Sequence, residues 1–146
     1  DLDIPAVARH AAEALAAARA AGRGDLETEA IAWQGAAEGA LGNLAACGAL
    51  IVRAKQRSRD LGIPAPTIAG HYHPLTLYWT GRADEATAAA EEAVAIARER
   101  QDVPWLMTAL PNLGLALTAV GRYAEAAPAF AEARRLGRQA GLDTLL

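Results

Sequence analysis

The strongest constraint on this chain is an internal period. Small residues set deep in alanine-rich stretches recur at Ala14, Ala54, Ala93 and Ala133, with spacings of 40, 39 and 40. Eight residues after each stands Gly22, Gly62, Gln101 or Gly141, in the same spacing. Gly42, Gly81 and Gly121 form a second series, and Gly35, Pro74 and Gly114 a third. Periods of about 20–50 residues belong to arrays in which each unit buries its apolar face only against its neighbours.

Composition says what the unit is made of. Alanine supplies 39 of the 146 residues, and alanine is the best helix former and a poor strand former, so the expected class is all-α. Leu106, Leu110, Leu113 and Leu117 step by 4, 3 and 4 along one helical face. Asp102 is suited to cap that helix, with Pro104 in the first turn, where its missing N–H is not needed. Helices are expected near 4–21, 26–41, 43–61, 67–80, 83–101, 103–120 and 123–140, about seven in all, and short turns between them force antiparallel pairs.

The last pair resembles the tetratricopeptide repeat. It carries Leu110, Asn112, Leu113, Gly114 and Leu117 in its first helix, then Gly121, Tyr123, Ala126, Phe130 and Ala133 through the turn and second helix. The second pair matches through Leu77, Gly81, Ala86 and Ala93, with Pro74 where the family has a small residue, which predicts a short or kinked helix. The first pair keeps Gly35, Gly42, Leu44, Cys47, Ile51 and Ala54. The resemblance implies a right-handed α-solenoid forming one domain over 1–146: a lone helix over 1–22, then repeats over 26–62, 67–101 and 103–141. The 40-residue period exceeds the family's usual length of about 34. In this it is similar to the longer-helix variety in bacterial signalling proteins such as maltose-regulator-like activators and antibiotic-regulatory proteins. The chain reads as a piece of such a protein.

Several function classes are disfavoured. Net charge −3 has the wrong sign for direct nucleic-acid binding. The single cysteine, Cys47, excludes an internal disulfide, fits a reducing cytoplasm, and falls where a small buried residue belongs. Residues 61–81 and 103–121 lack charged side chains, but Pro64, Pro66, Pro74, Pro104 and Pro111 argue for packed helices rather than membrane spans. His71 and His73, two apart on a helix, point away from each other, so no metal site is expected. No catalytic constellation or cofactor motif occurs, and the expectation is a non-enzyme without cofactor. Arg23-Gly24-Asp25 spells an adhesion tripeptide where a turn belongs, and Arg134, Arg135 and Arg138 close the last helix as a solvated end.

In this repeat family the first helix of each pair lines the concave face. The resemblance carries that role onto His71, Leu75, Tyr78 and Trp79, onto Thr108, Pro111, Leu115 and Thr118, and onto Glu29, Ala32, Ala36 and Gly39. No Lys or Arg lies within 27–42, 67–81 or 103–121, which excludes the family's carboxylate clamp. What remains is an apolar, aromatic groove suited to a peptide, helix or partner domain. Neighbouring repeats of a parent protein covering the same residues is the competing explanation. A small-molecule effector stacking on His71, Tyr78 and Trp79 is the alternative function. Val7, Ala11, Ala14 and Leu15 of the lone helix are expected to be uncovered, which predicts self-association or helix swapping.

Overall fold

The computed structural model describes residues 3–141. Among them are seven helices: α1 Ile4–Ala20, α2 Gly24–Ala40, α3 Leu44–Leu61, α4 Thr67–Trp79, α5 Ala83–Glu99, α6 Val103–Ala119 and α7 Tyr123–Gln139. The all-α class and the sequential antiparallel packing follow the expectation. Six of the helices are 17 or 18 residues long, while α4 has 13. It starts only after Pro64 and Pro66 and continues through Pro74, which has no N–H to give to the carbonyl of Gly70. The residues divide into two compact units at Thr76–Leu77, inside α4.

The turns explain the periodic glycines. Gly22, Gly42, Gly62, Gly81 and Gly121 have φ between +63° and +85° at the ends of helices, Gly62 as the cap of α3 itself and Gly22, Gly42 and Gly121 one residue past the caps of α1, α2 and α6. The next N–H in each case reaches back to close the helix end, as from Arg23 to the Ala18 carbonyl and from Arg82 to that of Leu77, both at 2.9 Å. Gln101 stands in the same series without being glycine, and it takes the same left-handed conformation at φ +54°. Asp102 caps α6 by accepting from the Trp105 N–H at 3.0 Å, as expected. Arg23, Arg82 and Arg122 occupy N-cap positions without a capping bond and instead pair with Asp25, Glu85 and Glu125 in the first turn. The adhesion tripeptide is thus a helix start with its arginine and aspartate bound to each other.

In the first unit, α2 packs between α1 and α3. Ala30, Ile31 and Ala32 meet Cys47, Ile51 and Ala54 of α3, with Ile68, Ala69 and Tyr72 of α4 in the same cluster. Glycines allow the approach: a Cβ on Gly39 would stand 2.9 Å from the Tyr72 ring and 3.0 Å from Cys47 Sγ. Glu27 ties the three helices at one end, accepting from Arg19 of α1 at 3.1 Å and Arg57 of α3 at 3.2 Å. Ala54 is fully buried, but its period-mate Ala14 is exposed. The expectation for α1 is corrected in part: Ala11 and Leu15 are buried against neighbouring helices, Val7 is half-buried, and only Ala14 lies open.

In the second unit, Ala93, Val94 and Ala97 of α5 pack with Trp105, Leu106, Ala109 and Leu110 of α6 and with Ala129, Ala133 and Leu136 of α7. Leu77, Ala86, Ala89 and Ala116 form a satellite core. Gly114 receives the tip of the Phe130 ring so closely that an added Cβ would stand 2.5–2.7 Å from three ring carbons.

Two predictions follow from this packing. Gly114→Ala should destabilise the protein by about 1–3 kcal/mol through overpacking. In a Phe130→Ala background the same change should be neutral or stabilising, because alanine is the better helix former. Denaturant unfolding of the four proteins gives the coupling, and simple additivity would refute the ring-in-hole contact. Ser58, buried where Ala18 and Ala97 stand in the other repeats, has a hydroxyl with no hydrogen-bond partner. Ser58→Ala should therefore raise stability by roughly 1 kcal/mol; a loss in thermal unfolding would show the hydroxyl to be satisfied.

Candidate functional site

The residues that the sequence assigns to a concave face fall in both units. In the first, His71 is half-buried and stands edge-on to the Tyr72 ring, with centroids 5.1 Å apart. Burial holds its imidazole below the ordinary value of 6.5, which favours the neutral form. His73 points elsewhere, its Nδ1 3.3 Å from Lys55 Nζ, so the two rings do not converge. Leu75 requires a correction, since at 9% exposure it belongs to the packed interior and offers little to a ligand. On α2, Ala32 and Ala36 are buried, Gly39 is half-buried against Tyr72 and Cys47, and Glu29 is exposed.

The second unit carries the more open set. Trp79, at the end of α4, is 48% exposed and Tyr78 is half-buried. On α6, Thr108, Leu115 and Thr118 are exposed and Pro111 is half-buried. Steps of 3, 4 and 3 put these four on one face of the helix. The threonines contribute less polarity than their type suggests. Thr108 Oγ1 donates to the Trp105 carbonyl at 2.9 Å and Thr118 Oγ1 to that of Gly114 at 2.7 Å. Their protons are committed to the helix, so to a ligand they offer acceptor oxygens and methyl groups. The α6 face is therefore an uncharged, largely apolar strip.

Nothing in these surfaces has the form of a reaction centre. Cys47 is fully buried, and burial pushes its thiol up to about 11, so it is a packing residue without thiolate character at neutral pH. Among the described residues no three His, Cys, Asp or Glu side chains gather as metal ligands, and no helix is long and apolar enough to cross a membrane. Arg98 bonds Glu132 at 2.6 Å, tying α5 to α7, and Arg122 reaches Glu91 of α5 at 3.3 Å. At the basic end of α7, Arg135 donates to Gln139 Oε1 at 3.1 Å.

Sequence reasoning anticipated one further surface only in part, placing Val7, Ala11 and Ala14 of α1 on it but not Leu26 and Trp33 of α2. Between α1 and α2 lies an open apolar groove of about 660 Å³, walled by alanines of α1 and by Leu26 and Trp33 of α2. Trp33 is 46% and Leu26 48% exposed. The available signal was the presence of both large residues on the helix face that is buried in later repeats.

The burial of His71 has a pH consequence. Folding favours its neutral form, so stability is lost as pH falls from about 6.5 through the lower folded-state value. Imidazole NMR should give a His71 midpoint below 6.5, and His71→Phe should flatten the acid side of the stability profile. A midpoint at or above 6.5 would contradict the burial.

Residues 75–139 match the tetratricopeptide repeat family. Among curated proteins and among solved structures no match was found. The matched segment takes in the end of α4 and the whole of α5, α6 and α7, where the repeat residues are clearest. A match to this repeat suggests a protein–protein interaction module, and the repeat is typically non-catalytic.

Proposed function

With the repeat match over 75–139 as premise, we propose that this chain is a non-catalytic interaction module that binds an apolar peptide or helix of a partner protein. The observation that carries this reading is the α6 strip of Thr108, Pro111, Leu115 and Thr118, open to solvent and uncharged along its length. Exposed side chains on a soluble helix are ordinarily charged or polar, and an apolar strip in their place marks a contact surface. Trp79 and Tyr78 supply aromatic anchors of the kind that dominate binding energy. The absence of Lys and Arg from 67–81 and 103–121 argues against recognition of a carboxylate terminus or of nucleic acid.

The longer period supports placing the module within a bacterial signalling or transcription-regulating protein, and one buried thiol suits a cytoplasmic setting. In such a setting the occupant is a partner protein or another domain of the same regulator. The aromatic pair Tyr78–Trp79 also supports the second reading, a small-molecule effector held by stacking. A melting-temperature increase with a metabolite panel would favour that reading, because a ligand that binds only the folded state stabilises it.

The test is capture of a partner from the source cell extract, its identification, and titration of the purified partner against wild type and Trp79→Ala. The half-exposed position of Trp79 leaves the fold intact on truncation. A loss of about 2 kcal/mol in binding is expected, roughly thirtyfold in Kd. Equal affinity of the two proteins would remove Trp79 from the interface and overturn the assignment.

A further inference from the structure

Two arginines of α7 break a pattern that α1, α3 and α5 keep. One residue after each of the period alanines stand Leu15, Lys55, Val94 and Arg134. The first three are met by the helix that follows. Leu15 is buried in a cluster with Ala30 and Ile31 of α2, and Val94 in one with Trp105 and Leu106 of α6. Lys55, the cation among the three, has His73 Nδ1 of α4 at 3.3 Å from its Nζ. Arg134 is exposed. Arg138 repeats Arg98 of α5, whose guanidinium is bonded to Glu132 at 2.6 Å. Among the described residues neither Arg134 nor Arg138 has a hydrogen-bonding or ionic partner.

The arginines end a longer open stripe. Thr87, Ala90 and Val94 are buried on α5, whereas Ala127, Phe130 and Arg134, forty residues on, are exposed on α7, with Arg138 one turn further. Steps of 3, 4 and 4 hold these four on one helical face. On α5 the cover at Val94 is α6, which runs antiparallel to it. A helix laid on α7 in the same way meets apolar surface and then two guanidinium groups. An apolar or basic residue opposite them would take permanently charged groups out of water without a partner. Carboxylates are the matching groups, since each accepts from the guanidinium fork. The chain itself uses this solution at Arg98 and supplies an acceptor at Lys55. Both arginines lie in the C-terminal half of α7. An antiparallel occupant therefore brings its carboxylates toward its own N-terminus, where the helix dipole also favours them. Glu125 and Glu132 on the same helix, with a net charge of −3, disfavour a nucleic-acid backbone in this place.

We infer that the stripe Ala127–Phe130–Arg134–Arg138 is a docking surface for an acidic amphipathic helix, antiparallel to α7 and carrying carboxylates about one turn apart opposite the two arginines. It uses none of the residues of the α4 and α6 surfaces, and it stands or falls independently of the function proposed for them.

A charge-swap titration on the whole chain tests it. The probe is a fluorescein-labelled peptide of about 20 residues, long enough to hold a helix, with a leucine stripe and two glutamates four residues apart beside it. Its companions carry two glutamines or two lysines at those places. By anisotropy, the glutamate peptide should bind at least tenfold tighter than the glutamine one, and the margin should shrink with added salt. In the double variant Arg134→Glu/Arg138→Glu the preference should reverse in favour of the lysine peptide. Both arginines are exposed, so wild-type helicity by circular dichroism is expected of that variant. Trp79→Ala should leave the titration unchanged. No binding of the glutamate peptide up to about 1 mM overturns the inference. So does equal binding of the glutamate and glutamine peptides, or a glutamate preference that survives the double variant. A short DNA duplex that binds as tightly as the glutamate peptide, and is lost with the same variant, would assign the arginines to nucleic acid and overturn it as well.

Discussion

The structure depends on how closely its helices approach, and alanine and glycine set that distance. A buried alanine removes little more than one methyl group from water, roughly 0.8 kcal/mol of transfer free energy. A core made largely of such residues is held by their number and by the dispersion contact of backbones brought close together. Ala32, Ala54, Ala69, Ala86, Ala90, Ala97 and Ala109 are all fully buried, with Ile31, Ile51 and Leu110 filling the remaining space. Gly39 against Tyr72 and Gly114 against Phe130 are the tightest cases, where one aromatic ring occupies the volume that a side chain on the facing helix would need.

Close packing works only if each helix returns along the previous one, and the turns ensure this. The left-handed residue after each helix closes the last turn on a carbonyl and reverses the chain within three residues. Ion pairs between helices add to the arrangement. Glu27 collects Arg19 and Arg57 from its two neighbours, which lowers its pKa and keeps it charged through the neutral range. These pairs are partly solvated and individually small, so they fix alignment more than they supply stability.

The division of labour among the helix faces gives the chain its surfaces. Faces with small residues turn inward, charged ones outward, and two surfaces do neither. One is the uncharged strip of α6, with Trp79 and Tyr78 at the end of α4 in the same unit. The other is the alanine-floored groove between α1 and α2. Both leave apolar area in water, at a free-energy cost that a bound helix or peptide removes.

Much of this was legible beforehand, because helix propensity, turn glycines and a fixed period are local or strictly repeating signals. The all-α class, the helix order, the Asp102 cap, the burial of Cys47 and the divergence of His71 from His73 were all read from residue types and spacings. Gln101 was placed in the glycine series by period alone, and its φ of +54° agrees. The exposure of individual side chains was not legible. Leu75 and Leu115 stand at equivalent positions one period apart, yet one is buried and the other open. Ala14 and Ala54 are the same residue at the same phase with opposite burial. A repeating sequence specifies which face of a helix is apolar. Whether that face is covered depends on a neighbouring helix contributed from elsewhere in the fold, and only the tertiary structure decides that.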